Sequence, residues 1–79
     1  MKEKILEILT DLRPDVDFEN EKALITDNVI ESFDIIELIS RLGNEFDVEI
    51  SPKELTAVNF DSLDAITALI ARLVEEEED

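Results

Sequence analysis

The stretch with the most chemical potential is Asn28-Val29-Ile30-Glu31-Ser32-Phe33-Asp34-Ile35-Ile36-Glu37-Leu38-Ile39-Ser40-Arg41-Leu42. Ser32 stands where a loop becomes a helix, because Ile35, Leu38, Ile39 and Leu42 then recur at i, i+3, i+4 and i+7 and give one apolar face. A helix start presents unpaired backbone N–H groups and the positive end of the macrodipole, so a phosphodiester on the Ser32 hydroxyl would sit where an anion is favoured. The plain alternative is that Ser32 is an N-cap, the commonest reason for a serine before an amphipathic helix. Phe33 and Ile36 fall off the inward stripe and are surrounded by Glu31, Asp34 and Glu37. Part of this helix therefore looks outward with an oily and acidic surface suited to contact.

Glu31-Ser32-Phe33-Asp34-Ile35-Ile36-Glu37-Leu38 resembles the Asp-Ser-Leu-centred attachment motif of acyl carrier proteins, with Glu in place of the family's Asp and Phe in place of its Leu. Length, acidity and the order of helices extend the resemblance over nearly the whole chain. The family commonly has glycine a few residues before the serine; this chain has Asn28, which also tolerates a left-handed turn. The resemblance implies a 4′-phosphopantetheine on Ser32, installed by a phosphopantetheinyl transferase, with a terminal thiol that holds acyl groups as thioesters. It also implies acyl-loading and acyl-processing enzymes with basic docking patches as partners. Glu31, Asp34, Glu37 and Asp47 would meet the basic residues of those partners, and Phe33 and Ile36 their apolar contacts.

Asp61-Ser62-Leu63 matches the family wording more literally than residues 31–33 do. Chain order favours Ser32, since the family pattern needs a loop, a short helix and a final helix after the attachment helix. Ser62 therefore reads as a helix cap. Asp15, Asp17 and Glu19 suggest the start of a calcium loop, but the sixth position is Asn20 where glycine is needed and the twelfth is Thr26 where a bidentate Glu should stand.

The elements that must position Ser32 belong to a chain of 79 residues, enough for one domain burying roughly 60% of its unfolded surface. The 22 acidic and 7 basic side chains give a net charge of −15, which argues against nucleic acid and anionic membranes as partners and for basic protein patches. Cysteine and histidine are absent, which removes disulfides, thiolate or imidazole zinc sites, a cysteine nucleophile and a histidine base. The charged amino-terminal stretch, residues 1–7, reads as neither signal peptide nor membrane span, so a cytoplasmic setting without membrane insertion is expected.

Residues 2–12 predict a first helix with Ile5, Ile8, Leu9 and Leu12 on one stripe, ended by Pro14. Residues 14–29 lack periodicity and read as a long surface connection anchored by Phe18, Leu24 and Ile25, letting the first two helices run nearly parallel. Gly43-Asn44 predicts the end of the second helix, with Arg41 complementing its dipole. Phe46, Val48 and Ile50 read as inward residues of an extended loop, and Ser51-Pro52-Lys53-Glu54 as a capped helical turn. Residues 62–74 predict the last helix, with Leu63, Ile66, Leu69, Ile70 and Leu73 inward, followed by a frayed acidic tail over 75–79.

The expectation is an all-α, four-helix bundle of three main helices and one short helix, acting as a monomeric, discrete acyl carrier protein that catalyses nothing itself. The rival from another class is an unmodified acidic helical adaptor or nucleic-acid mimic that occupies a basic site by charge alone. Fatty acyl, polyketide, aminoacyl and D-alanyl carriers of that family share this scaffold, and the resemblance implies an acyl intermediate of fatty acid, polyketide or related acyl metabolism as cargo.

Overall fold

The computed structural model describes residues 1–77, and the described residues form helices and connections with no strand. In chain order these are α1 Lys2–Leu12, α2 Ser32–Phe46, a 3-10 turn Pro52–Glu54, α3 Ala57–Phe60 and α4 Leu63–Glu77. The inward stripes form as their 3.6-residue periodicity requires: Ile5, Ile8 and Leu9 from α1, Leu38 and Leu42 from α2, and Leu63, Ile66, Leu69, Ile70 and Leu73 from α4 are all buried. Each withdraws about 1.5–3 kcal/mol worth of apolar surface from water. Ile35, Ile39 and Leu12 pack at the margin, half-buried. No polar or charged side chain is buried among the described residues, so the bundle is held by apolar packing inside and ion pairs outside.

The first two helices run antiparallel, not parallel. Arg13, one residue past α1, donates to Asp34 in the first turn of α2 at 2.9 Å, and Asp11 pairs with Arg41 at 2.7 Å. Ile8 in turn lies beside Asn44 and Glu45. The long connection is therefore not needed to reverse the chain's direction; it covers the core beside α3 and α4. Phe18, Leu24 and Ile30 are buried from it, Ile25 is half-buried, and the Leu24 amide donates to the Asp61 carbonyl at 2.8 Å.

The end of α2 also departs from expectation. The helix passes through Gly43 and Asn44 and stops at Phe46, because Asp47 takes the left-handed conformation, φ 54° and ψ 49°, and serves as its C-cap. Gly43 has a different task. The chain folds back at Val48, whose amide donates to the Gly43 carbonyl at 3.2 Å and whose carbonyl oxygen would stand 3.1 Å from any Cβ at position 43. Arg41 thus lies outside the last turn and ties α2 to Asp11 of α1 instead. Val48 is buried, and Phe46 and Ile50 are half-buried, as an inward-facing loop requires.

Ser51 makes no side-chain cap bond, and residues 52–54 form only a 3-10 turn. Glu54 faces Asn59 and Arg72 rather than closing a capping box, and the short α-helix proper is α3, which buries Phe60. Ser62 does cap α4: its Oγ accepts from the Ala65 amide at 3.1 Å. Residues 75–77 belong to α4 and are not a frayed tail, with Glu76 3.8 Å from Arg72 across one turn; residues 78–79 lie outside the described part. No helix of the described residues is long and apolar enough to cross a membrane.

Candidate functional site

Ser32 is the first residue of α2 and is exposed. The N-cap position belongs to Glu31, so the serine is not the capping residue and its hydroxyl faces no such commitment. Asp34 accepts from the Glu31 amide at 3.2 Å, fixing the entry of the chain into the helix. The amides of Ser32 and Phe33 belong to the first turn, which has no intrahelical acceptors for its N–H groups, and the helix dipole points its positive end here. A phosphoryl group joined to Ser32 Oγ fits this environment.

The approach to Ser32 is shaped by the loop before it. Asn28 adopts φ 56°, the left-handed conformation that asparagine tolerates at that position. The Ile30 amide donates to the Leu24 carbonyl at 3.1 Å and the Asn28 amide to the Ile25 carbonyl at 3.1 Å, so residues 24–30 close into a compact unit. An open groove flanks the serine, lined by Ile25, Asn28 and Ile30 from the loop and by Glu31, Phe33 and Ile35 from the helix start. Ile25 and Ile35 also wall a small apolar crevice whose other sides are Leu55, Thr56 and Phe60.

The six residues expected to contact partners divide by position. Phe33 is 79% exposed and Ile36 68%, and with Glu37 they share the outward face of α2 beside Ser32. Glu31 and Glu37 are exposed carboxylates on either side of that pair. Asp34 is half-buried and engaged, receiving both the Arg13 guanidinium and the Glu31 amide. Asp47 is exposed but caps the far end of α2, about 20 Å from Ser32 at the helical rise. The structure therefore leaves Glu31, Phe33, Ile36 and Glu37 exposed over the first part of α2, ties Asp34 to Arg13 and the Glu31 amide, and places Asp47 at the far end.

Three features of the site escape a reading of the sequence. Arg13 bonds the Val29 carbonyl at 3.3 Å as well as Asp34, which ties the end of α1 to the start of α2; Asp15 and Asp34 beside it raise its pKa further above the ordinary value. Asp61 accepts from residues of the site loop, and its carboxyl is held below the usual range chiefly by the Thr26 hydroxyl. Leu55 and Val58, 43% and 85% exposed, add apolar surface on the α3 side. Only the last carries a local signal, two apolar residues in a segment without inward periodicity. Among the described residues no group of three or more acidic side chains gathers to hold a metal ion.

Chemically, the arrangement offers one exposed hydroxyl at a helix start, with the exposed Phe33–Ile36 pair and the exposed carboxylates of Glu31 and Glu37 nearby, Glu31 also accepting from the Asp34 amide in a capping box. No protein-family model matches the chain, and no curated protein matches it.

Proposed function

We propose that the chain is an acyl carrier protein in which Ser32 is the acceptor of a 4′-phosphopantetheine group. The observation that carries this reading is the position of Ser32: exposed, first in α2, relieved of capping by Glu31, and set beside the exposed Phe33–Ile36 pair. Attachment forms a bond from Ser32 Oγ to the pantetheine-side phosphorus of coenzyme A while the P–O bond of its pyrophosphate breaks, 3′,5′-ADP departs with the bond's electron pair, and the hydroxyl proton passes to the transferase. That enzyme brings its own base and magnesium.

The chain's own residues hold and present. First-turn amides of α2 stabilise the phosphodiester charge, the loop wall of Ile25, Asn28 and Ile30 orients the approach, and the apolar crevice beside Ile35 adjoins the groove. The prosthetic group, once attached, supplies a thiol that carries acyl groups as thioesters. Partner enzymes with Arg or Lys around an apolar recess would gain association rate from Glu31 and Glu37 and affinity from Phe33 and Ile36.

The test is intact mass after incubation with coenzyme A, magnesium and a promiscuous phosphopantetheinyl transferase. A gain of one phosphopantetheine group supports the carrier. No gain on the folded chain, with an active control carrier alongside, leaves the acidic adaptor as the better account.

A further inference from the structure

Three consecutive residues of the loop before Ser32 converge on one residue far along the chain. Leu24 donates its amide to the Asp61 carbonyl at 2.8 Å, and the Ile25 and Thr26 amides donate to Asp61 Oδ1 at 2.8 and 2.9 Å. The Thr26 hydroxyl donates to Oδ2 at 2.7 Å. Both carboxylate oxygens are thereby used, and hydrogen bonds to a charged acceptor are the strong kind. Asp61 itself is fixed at the α3–α4 junction, where its amide donates to the Ala57 carbonyl and Ser62 begins the cap of α4.

What Asp61 holds is the wall of the Ser32 groove. Ile25 and Asn28 line that groove, and the bonds from Asn28 to Ile25 and from Ile30 to Leu24 carry the restraint on to the residue before Glu31. At its other end the segment is held through the Val29 carbonyl by Arg13. The loop thus hangs between two fastenings, and a carboxylate is the one that grips consecutive amides.

We propose that Asp61 is a positioning residue for the Ser32 site: it fastens residues 24–26 so that the loop wall is preset for the enzyme that modifies the serine. This rests on the reading of Ser32 as the acceptor. Asp61 does not touch the reacting atoms, so its loss should weaken recognition by the transferase and leave the chemical step intact.

The experiment uses the full chain with Asp61→Asn, Thr26→Val and Thr26→Ser. Amide hydrogen exchange is read residue by residue, and KM and kcat are read for loading by the transferase with coenzyme A. In Asp61→Asn, exchange at Ile25 and Thr26 should accelerate about tenfold or more while Ile66 and Ile70 in α4 keep their protection. KM for loading should rise several-fold with kcat retained. Thr26→Val should show the same pattern, about threefold, and Thr26→Ser should restore native behaviour because it keeps the hydroxyl. If Asp61→Asn does not fold, the Thr26 pair decides alone.

Native exchange at residues 25–30 in a folded variant, or a raised exchange with unchanged loading, overturns the inference while the Ser32 reading stands. A wild-type chain that is never loaded strikes the Ser32 reading itself and removes this inference with it.

Discussion

Ser32 and Ser62 each open a 15-residue amphipathic helix, and the two starts are built differently. Ser62 turns its hydroxyl onto the Ala65 amide and is half-buried, so it is used up in holding α4 together. Ser32 lies one position further in, exposed, with Glu31 as the cap and Asp34 bonded back to the Glu31 amide. The local wording Asp-Ser-Leu sits at Ser62, yet availability sits at Ser32. One residue of offset relative to the helix start decides whether a serine stabilises the fold or is left free for chemistry.

The contrast breaks most sharply at the level of loading. Ser32→Ala should abolish the mass gain with coenzyme A and transferase, and Ser62→Ala should retain it; the reverse result would exchange the two roles. Next in size is the surface beside Ser32. Replacing Phe33 and Ile36 together by serine should weaken binding to a loading enzyme by about 10- to 100-fold, read by titration calorimetry, with thermal stability unchanged because both side chains are exposed. High salt should slow the same association, since the charge that steers it is screened.

Stability should rank the two serines the other way round. Ser62→Ala should lower the unfolding free energy by about 1 kcal/mol through loss of its cap bond, whereas Ser32→Ala should stay within about 0.5 kcal/mol. Urea midpoints at constant slope would measure both. The smallest effect is acid sensitivity. Asp61, Asp15 and Asp64 are held below the ordinary carboxylate range by Thr26, Arg13 and Lys2 respectively. The native state then binds fewer protons than the unfolded chain, so this stability is present above an ordinary carboxylate pKa and is lost as pH falls through the lowered values. Thermal melts below about pH 4 should show the loss, and Asp61→Asn should make it shallower.

The helices were legible because their information is local. Ile5, Ile8 and Leu9, or Ile66, Leu69 and Ile70, announce a buried stripe within a few residues, and Phe33 and Ile36 announce an exposed one by missing it. Helix ends were less legible, since Gly43 looks like a terminator until Val48 is seen returning against it, and Asp47 carries no special mark as a left-handed cap. The direction of α1 relative to α2 does not follow from the connection, because its length says nothing about which surface it covers. The fastening of the Ser32 loop was invisible for a related reason: Asp61 and Thr26 lie 35 positions apart, and each looks like an ordinary polar residue alone.

That same separation has a consequence for when the site comes into being. Closing a loop of such length carries an entropic cost that neighbouring helical turns do not pay, so the grip of Asp61 on residues 24–26 needs both distant segments in place at once. The N-terminal half, though it holds Ser32, cannot assemble the wall beside it unaided. A transferase that reads this wall would pass over a nascent or partly folded chain, and maturation would follow the completion of folding.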